Sequence, residues 1–576
     1  MKFANSPLLS QRLPAWRSRL LLLGILSGFA VLAGWSIYLQ GFNSAFLQEK
    51  GAQRYSRVIE MSATRGRIMD RNGEVLAVST PVKSIWAIPE DAKLQPAQVY
   101  RLAHLLEMNV RELNRKLAGN RDFVYLERQI PPDVAARVMA LDLPGIHDQP
   151  EYRRYYPSGE VSAHVLGFTG ADDVGQEGVE LAFQSTLAGK SGSRRVIKDR
   201  RGHIVEDVDS IRLPQDGKDV VLALDDKIQY LAYANLRQAV IDNKAKAGSI
   251  VVLDAKTGEV LALANMPTYN PNNRAKLTGA QLRNRAITDT FEPGSTMKPF
   301  TIALALDKGK FRFDSRIQTA PGWLTIGTAT IHDSEPHGML TVAQVIQKSS
   351  NIGAAKIALT LPAEEMWDNF ERLGFGHPLK LGFPGEVGGR VRPYKNWRPI
   401  EQATMAYGNG ISVTLMQLAH AYLVFARNGD LIPLSLTKLD APPLSGKPVF
   451  TEQTAHEVRA MLEMVLQPGG TAPKAQVPGY RVAGKTGTAH KVEGGIYVNR
   501  YVASFVGFAP ASDPRLVIAV MIDEPSAGSY YGGDVAAPVF SKVMAGSLRD
   551  LGVAPDAPQP PLQALTAKPP LVREGT

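Results

Sequence analysis

The longest apolar stretch of the chain lies near its start, at residues 20–39, and contains no charged residue. About 20 apolar residues are what a helix needs to cross the hydrocarbon core of a bilayer. Trp35 and Tyr38 stand near the end of the stretch, and aromatic side chains favour the membrane–water interface. The pattern therefore predicts a transmembrane helix.

Beyond residue 217, shorter patterns predict a mixture of helices and strands. Apolar residues recur at helical spacing in residues 226–243, which open with an Asp as a cap. Two strand-like runs, residues 249–254 and 259–264, flank a Lys-Thr-Gly turn and predict a hairpin. Further helices are predicted at residues 341–361, 414–427 and 536–550, and strands around residue 485 and at 501–508 and 516–522.

The order of these elements favours an α/β fold of the α+β kind. Strands at both ends with helices between them predict one antiparallel sheet, with the terminal helices packed on it and a helical lobe beside it. Ahead of this region, residues 66–77 hold two extended runs around Asn72-Gly73, which is a strong hairpin signal.

The basic residues before the apolar stretch predict its orientation. They are Lys2, Arg12, Arg17 and Arg19. No acidic residue occurs before Glu49, so by the positive-inside rule the N-terminus is expected in the cytoplasm and the chain after residue 40 outside. The alternative is a cleaved signal peptide. The run is longer than the apolar region of such a signal, and residues 43–45 make a poor cleavage site, so an uncleaved anchor is favoured.

The composition is that of a globular chain with several domains. Its 576 residues exceed one ordinary domain, and 44% hydrophobic residues supply ample core material. The absence of cysteine excludes disulfides, thiol catalysis and cysteine-ligated metals. A net charge of +10 permits nucleic-acid binding, but the densest basic cluster, residues 194–201, shows no nucleic-acid module. A solvated hairpin face is favoured there, with attraction to anionic lipid as the alternative.

Ser295 and Lys298 are the first candidates for catalysis. Residues three apart share a helix face, so a hydroxyl would lie beside an amine that can act as its base. The helix-forming run 301–308 follows, and Gly309 is placed to end it. Ser295 is therefore expected at a helix N-terminus, where the dipole favours developing negative charge.

A second Ser-x-x-Lys match, Ser435 with Lys438, shows that this motif alone is weak evidence. It lies in the alternating stretch 434–440, which predicts a strand. On a strand, positions three apart point to opposite faces, so this pair is not expected to cooperate.

Two further motifs accompany Ser295. Ser349-Ser350-Asn351 and then Lys485-Thr486-Gly487 follow it in the chain. This set, in this order, is typical of class A β-lactamases and penicillin-binding proteins. The chain resembles a penicillin-binding protein.

Each motif residue has a candidate role in acyl transfer by serine. Ser295 is the nucleophile, Lys298 the base and Ser349 a proton relay, and Asn351 can hold a substrate amide. Lys298 must be partly neutral for this, and burial and the charge of Lys485 would lower its pKa. A turn or cap role for Ser349 and Asn351 is the structural alternative.

The resemblance implies roles for the edge of the site. Lys485, Thr486 and Thr488 would engage a terminal carboxylate of the substrate, and the backbone amides of Ser295 and Thr488 would form the oxyanion hole. Gly487 is expected to leave room for the ligand backbone. Tyr530-Tyr531 stand where family members place an aromatic wall, with a hairpin turn carrying surface tyrosines as the alternative.

The resemblance also assigns the region before residue 218. Residues 66–77, 154–167 and 177–180 are similar to the pedestal motifs of class B penicillin-binding proteins, and a structural role is favoured for His164 over a metal or catalytic one. We find no glycosyltransferase signature. The expected domains are a cytoplasmic tail (1–19), an anchor (20–39), a linker (40–55), an elongated β-rich pedestal or dimerisation domain (56–217), a transpeptidase domain (218–552) and a Pro-rich disordered tail (553–576).

Three other functions are compatible with parts of the sequence. Residues 479–486 match the Walker A pattern, but no helical period follows them, so nucleotide binding is not expected. A class A β-lactamase would need a glutamate to activate water, and neither Glu386 nor Glu401 lies in a fitting context. A non-catalytic division scaffold or β-lactam sensor is the third possibility.

Membership in this family implies a peptidoglycan D,D-transpeptidase, of the serine D-Ala-D-Ala carboxypeptidase class, that cross-links stem peptides ending in D-Ala-D-Ala and is blocked by β-lactams. It implies an inner-membrane, single-pass protein working with the polytopic septal glycan polymerase and other division proteins, with no cofactor, metal or nucleic acid. Glu292 in the Ser295 segment resembles the septal branch, with the elongation type as the alternative.

Overall fold

The computed structural model describes residues 15–42, 56–118, 123–198, 204–443 and 445–558. Most of the expected cytoplasmic tail, of the linker 40–55 and of the Pro-rich tail lies outside the described residues. The chain divides into two compact units that interleave along the sequence. The first comprises Met1–Ala63, Pro81–Glu151 and Lys190–Gln215, and the second comprises Thr64–Thr80, Tyr152–Gly189 and Asp216–Thr576.

The first unit begins with the helix Ala15–Ile37, followed by a π-helical turn, Tyr38–Phe42. The span Ala15–Gly41 has a mean hydropathy of 2.1, and none of that window is buried inside the protein. The helix is long and apolar enough to cross a membrane. The predicted apolar helix is confirmed, although it starts before residue 20.

The rest of the first unit is a small mixed core and a three-stranded sheet. In this sheet the central strand is Gly192–Lys198. It pairs antiparallel with Ser56–Met61 on one side and with Ile204–Arg212 on the other. The core lies between the strands Val75–Ala87, Val124–Ile130 and Ile146–Tyr155 and the helices Pro96–Leu105, Val110–Leu117 and Pro132–Met139. The strands Val75–Ala87 and Ile146–Tyr155 each have one end in the second unit.

The second unit is built on a five-stranded antiparallel sheet, as the sequence predicts. Its strand order is Val260–Met266, Ala247–Asp254, Leu516–Asp523, Ile496–Ala509 and Ala483–Glu493. Every residue of Ala247–Asp254 is buried, because helices cover both faces of the sheet. The strand Ala483–Glu493, which we call the edge strand, forms one border.

The helices of the second unit pack on both faces of this sheet. Asp226–Asp242 and Ala537–Asp550 pack on one face and against each other, while Leu415–Ala426 covers the other. Asp225 caps the first of them by accepting from the amides of Lys227 and Ile228. The longer helices of the lobe beyond are Lys298–Asp307, Val342–Lys348, Asn351–Ala358, Ala363–Arg372, Pro399–Met405 and Glu452–Met464.

Short elements complete the second unit. The helical ones are Ala163–Leu166, Gly178–Ala182, Gln184–Leu187, Gly279–Leu282, Arg285–Thr288, Gly532–Val535 and the 3-10 turns Gly294–Met297, Tyr394–Asn396 and Pro473–Ala475. The strands are Ile68–Met69, Val220–Val221, Arg316–Gln318, Trp323–Ile326, Ala329–His332, Met339–Thr341, Asp430–Leu431 and Lys447–Pro448. The predicted turn at Asn72-Gly73 is present, with φ of +92° at Gly73.

A buried ion cluster lies among the segments that precede residue 218. Glu180 accepts from Arg65 Nε at 2.7 Å and from Arg154 Nε at 2.6 Å, and all three side chains are essentially excluded from solvent. His164 lies nearby in sequence, with Nε2 at 2.7 Å from the carbonyl of Gln281. Burial lowers the His164 pKa to about 4, so this histidine is neutral and hydrogen-bonded.

Two predicted elements differ from the structure. The helix expected over residues 341–361 is broken at Ser349, whose φ of +59° ends Val342–Lys348 before Asn351–Ala358 begins. The strand expected over residues 434–440 is absent from this described stretch, which makes only isolated bridges at Ser435 and Thr437. The apolar–polar alternation of this stretch reflects the burial of Leu436, although no continuous ladder of hydrogen bonds to a neighbouring strand forms.

Candidate active site

The nucleophile candidate lies on a tight turn just before a buried helix. Gly294–Met297 forms a 3-10 turn, and the helix Lys298–Asp307 continues directly from it. Ser295 is therefore in the turn, one turn ahead of the α-helix whose N-terminus was expected to hold it. Gly294 has φ of +58°, a conformation that glycine adopts without strain. The prediction that this helix ends at Gly309 is confirmed, since the helix stops at Asp307 and Gly309 has a φ of +65°.

Lys298 is fully buried and lies within hydrogen-bond distance of the nucleophile. Its Nζ is 2.8 Å from Ser295 Oγ and 2.8 Å from Asn351 Oδ1. The pKa of Lys298 falls well below its ordinary value, first because burial disfavours the ammonium and then because Lys485 adds a like charge. Both causes are predicted from the sequence. A partly neutral amine beside a hydroxyl is the arrangement that general-base catalysis requires.

Ser349 connects the two buried lysines. Its Oγ is 3.1 Å from Lys298 Nζ and 2.9 Å from Lys485 Nζ, and its carbonyl lies 2.5 Å from Lys298 Nζ. The left-handed backbone at Ser349 is uncommon for a residue with a side chain and is found at functional sites. This break between two helices turns the hydroxyl toward both amines, which a continuous helix over residues 341–361 would not do.

Asp333 organises the second motif, and the sequence analysis missed it. Its carboxylate accepts from Ser350 Oγ at 2.6 Å and from the amides of Asn351 and Ile352 at 2.6 and 3.0 Å. A carboxylate at a helix N-terminus satisfies amides that lack helical partners and complements the dipole. No local pattern marks Asp333, because its partners lie 17 to 19 residues further along the chain.

The edge strand brings the third motif to the same place. Lys485 is fully buried, and burial lowers its pKa to about 7. Thr486 Oγ1 lies 2.9 Å from Thr471 Oγ1, and Thr488 Oγ1 accepts from the Gly532 amide at 3.1 Å. These hydroxyls and the lysine therefore lie along one strand beside Ser349.

The structure gives a packing reason for glycine at position 487. A Cβ at this position would come within 2.7 Å of the Pro293 carbonyl and 2.4 Å of Ser504 Oγ. The missing side chain thus lets the edge strand pack against the nucleophile turn, and that space is already filled by protein. The expectation that Gly487 also leaves room for a ligand backbone stays a prediction.

A cleft of about 700 Å³ joins these groups, which we call the catalytic cleft. Six of the predicted site residues line it with the nucleophile: Ser349, Asn351, Thr486, Thr488, Tyr530 and Tyr531. Tyr530 stacks on Tyr501 at a centroid distance of 4.0 Å and an interplanar angle of 11°. The two predicted tyrosines thus form part of the cleft wall, and Tyr501 is a third member that the sequence did not indicate.

Comparison with known proteins agrees with this geometry. The family model for the penicillin binding protein transpeptidase domain matches residues 248–545, and that for the penicillin-binding protein dimerisation domain matches residues 60–222. A probable peptidoglycan D,D-transpeptidase PenA of Neisseria gonorrhoeae is 47% identical over 536 residues, covering 92% of each chain. The chain belongs to the class B penicillin-binding proteins.

Other members of the family are similar over comparable lengths. The peptidoglycan D,D-transpeptidase FtsI of Escherichia coli K12 is 44% identical over 551 residues, covering 94% of this chain and 93% of that protein. Among solved structures, the transpeptidase domain of Burkholderia pseudomallei penicillin-binding protein 3 is 51% identical, with a TM-score of 0.55. It covers 58% of this chain and 98% of that one. The division-type branch of the family, which Glu292 indicated, is thereby supported.

The competing motifs do not form sites in this penicillin-binding protein. Ser435 Oγ donates to the Thr437 carbonyl, and Lys438 Nζ donates to the Arg71 carbonyl, so the two groups are engaged separately. The Walker-like segment runs into the edge strand at Ala483, whereas a phosphate-binding loop must open a helix.

Proposed function

We propose that this chain cross-links peptidoglycan stem peptides through an acyl-enzyme on Ser295. The observation that supports this most strongly is the chain of short contacts from Ser295 Oγ through Lys298 Nζ to Ser349 Oγ and Lys485 Nζ. In the proposed reaction Ser295 attacks the carbonyl of the penultimate D-Ala, and neutral Lys298 takes its proton. The C–N bond to the terminal D-Ala then breaks, and Ser349 relays a proton to the leaving amine.

The remaining site residues would bind substrate and stabilise charge. Lys485, with the hydroxyls of Thr486 and Thr488, would receive the terminal carboxylate, and Asn351 would hold a substrate amide. The backbone amides of Ser295 and Thr488 would stabilise the oxyanion of the tetrahedral intermediate. An amine from a neighbouring stem then resolves the ester, whereas attack by water would give the D-Ala-D-Ala carboxypeptidase reaction.

A transpeptidase differs from a β-lactamase in the fate of the acyl-enzyme. The glutamates considered for water activation are engaged elsewhere: Glu401 accepts from Arg392 and Arg398, and these bonds lower its pKa to about 2. Glu386 accepts from the Leu381 amide. Neither glutamate lines the catalytic cleft. We therefore expect the acyl-enzyme formed with penicillin to persist.

The test is titration of the full chain with penicillin, followed by mass spectrometry. About one equivalent should give a lasting adduct on the Ser295 peptide, Ser295→Ala should abolish it, and Ser435→Ala should leave it intact. Labelling that survives Ser295→Ala would refute the nucleophile. Rapid multiple turnover of penicillin would identify a β-lactamase instead.

We further propose that the helix Ala15–Ile37 is an inner-membrane anchor, with the N-terminus in the cytoplasm and the chain after residue 40 in the periplasm. The basic residues before it support that orientation. In this setting the anchor and pedestal would contact the septal glycan polymerase and other division proteins. N-terminal sequencing that begins beyond residue 44 would refute an uncleaved anchor. Depletion of the protein should give filamentous cells, whereas round cells would indicate the elongation role.

A further inference from the structure

A short hairpin of the second unit has two faces of different character. Its strands, Trp323–Ile326 and Ala329–His332, pair antiparallel, and Gly327 between them has φ of +64°. One face packs against a small apolar cluster of the helical lobe through Leu324, Ile326 and Ile331. The hairpin is therefore fixed to the protein on one side and open to solvent on the other.

The open side, which we call the outer face, carries one aromatic ring among polar groups. Because side chains alternate along a strand, this face holds four exposed residues: Trp323, Thr325, Thr330 and His332. Trp323 lies directly opposite His332 across the strand pair. Thr325 Oγ1 is 3.1 Å from Thr330 Oγ1. An indole thus shares this face with an imidazole and two hydroxyls.

The exposure of Trp323 is unusual within this chain. Its exposed fraction is 52%, whereas Trp86, Trp367 and Trp397 are partly buried. An indole left in water forgoes one of the largest gains that burial of a side chain provides. With polar neighbours, it complements a ligand that has an apolar face and a polar rim. A pyranose ring has this form, because its C–H groups make an apolar face and its hydroxyl and acetamido groups make the rim.

The outer face is continuous with the catalytic cleft. Asn351 Nδ2 donates to the His332 carbonyl at 3.0 Å, and Asn351 Oδ1 lies 2.8 Å from Lys298 Nζ. Asp333, which follows His332, caps the helix that begins at Asn351. The chain then continues along the cleft, which is lined by Ser334, Glu335 and His337. A substrate that leaves the cleft beside Asn351 therefore meets the hairpin.

The separation between Trp323 and the nucleophile agrees with the length of a stem peptide. The bonds and contacts through His332, Asn351 and Lys298 limit the distance from Trp323 Cα to Ser295 Oγ to at most about 20 Å. About four residues separate the acyl carbon of a stem from the sugar that carries the stem, and they span about 13 Å when extended. The indole side chain adds several ångströms of reach.

We propose that the outer face binds the glycan strand to which the donor stem is attached, with one N-acetylated sugar ring stacked on Trp323. His332 and the two threonines hydrogen-bond to the polar rim of the sugar. The proposal rests on the acyl-transfer function above and adds a recognition site for the glycan. The donor is favoured over the acceptor because its terminal carboxylate is expected at Lys485. Its stem then runs the other way, past Asn351, toward the hairpin.

The test compares two donors that carry the same peptide. One is the free stem ending in D-Ala-D-Ala, and the other is that stem linked to its disaccharide. The second-order rate of Ser295 acylation is measured for the full chain in detergent as D-Ala released in the first turnover. The wild type should favour the linked donor about tenfold, the effect of one aromatic stacking contact, and Trp323→Ala should lower this ratio to about one. Both donors are measured on one preparation, so partial unfolding of a variant does not change the ratio.

Three variants sharpen the comparison. Trp323→Phe retains a flat ring and should keep most of the preference, whereas Trp323→Leu is apolar without a ring and should lose it. Tyr230→Ala removes another exposed aromatic residue of the second unit, outside the hairpin and the cleft, and should leave the wild-type ratio. A wild-type ratio of one, or a preference that survives in Trp323→Ala or Trp323→Leu, would overturn stacking of the sugar on Trp323.

A binding measurement separates failure of this site from failure of the proposed function. Calorimetric titration with an N-acetylglucosamine oligosaccharide should show a Kd about tenfold lower for the wild type than for Trp323→Ala. Equal affinities would overturn the glycan site even if both donors acylate Ser295. A wild type that releases D-Ala from neither donor would overturn the proposed function, and the titration would still decide the glycan site.

Discussion

Two of the places where the second compact unit buries charge differ in how that charge is compensated. In the first, Glu180 lies between Arg65 and Arg154, and both arginines donate to its carboxylate. In the second, Lys298 and Lys485 are buried with no carboxylate in ion-pair contact among the described residues; hydroxyls and carbonyls are their hydrogen-bond partners.

The comparison separates structural from reactive burial of charge. A buried ion must be compensated or shift its pKa toward the neutral form. The arginine–glutamate cluster is compensated by opposite charge, and its two ion pairs join three segments of the second unit. Lys298 and Lys485 have no such compensating charge in ion-pair contact among the described residues, and the pKa of each is lowered. The first arrangement favours stability, and the second provides an amine able to accept a proton near neutral pH.

The largest effect is expected from removing the compensating charge. Glu180→Gln would leave two buried guanidinium groups without a counter-ion, and we expect a loss of about 3–5 kcal/mol in the free energy of unfolding. Denaturant unfolding of the full chain measures this. The matched control is Asp219→Asn, which breaks a largely exposed pair with Arg67 and should cost no more than about 1 kcal/mol. If Glu180→Gln and Asp219→Asn lowered the free energy of unfolding equally, the buried cluster would contribute no more to stability than the exposed ion pair.

Lys485→Ala probes the uncompensated site. Loss of a buried charge that receives a carboxylate should slow acylation by donors with a free terminal carboxylate roughly hundredfold, and affect amidated donors far less. Lys474→Ala is the control, since Lys474 lines the same cleft but is exposed and paired with Asp534. If both classes of donor slow equally, Lys485 acts elsewhere, for instance only on the pKa of Lys298.

The pH profile tests the same difference without a mutation at the nucleophile. Because the pKa of Lys485 is lowered to about 7, its ammonium is lost as the pH rises through that value. The second-order rate of acylation by carboxylate-bearing donors should then fall above pH 7, by up to about tenfold per pH unit. Amidated donors depend on neutral Lys298 and should show no such fall. A fall that persists in Lys485→Ala would contradict the assignment.

Asp333→Asn is expected to give the smallest effect. The amide retains an acceptor oxygen but loses the charge that complements the helix beginning at Asn351, which should slow acylation by about tenfold or less. Penicillin labelling rates measure it. Glu335→Gln is a suitable control, because Glu335 lines the same cleft and makes no hydrogen bond with the described residues. An Asp333 variant as fast as this control would show that the cap does not position Asn351.

Local patterns along the sequence predicted the fold class and supplied the candidate site residues. The apolar runs predicted the sheet strands, because the central strands are covered on both faces and hold almost no polar residue. The three motifs could be recognised because each is short, and the Ser295–Lys298 contact follows from helical spacing alone. Even the lowered pKa of Lys298 could be expected once its charged neighbour was named.

Only the tertiary structure decided the contacts between segments that are distant in the chain. Asp333 as the cap of Asn351, Tyr501 as a third tyrosine of the wall, and Pro293 as the neighbour that requires glycine at position 487 all depend on packing across many residues. The left-handed backbone at Ser349 is likewise associated with contacts to segments distant in the chain. The apolar spacing on both sides predicted one continuous helix there, and tertiary hydrogen bonds join the Ser349 hydroxyl at the break to two buried lysines. Sequence patterns record local preferences, and these contacts are set by energies that arise only when the chain has folded.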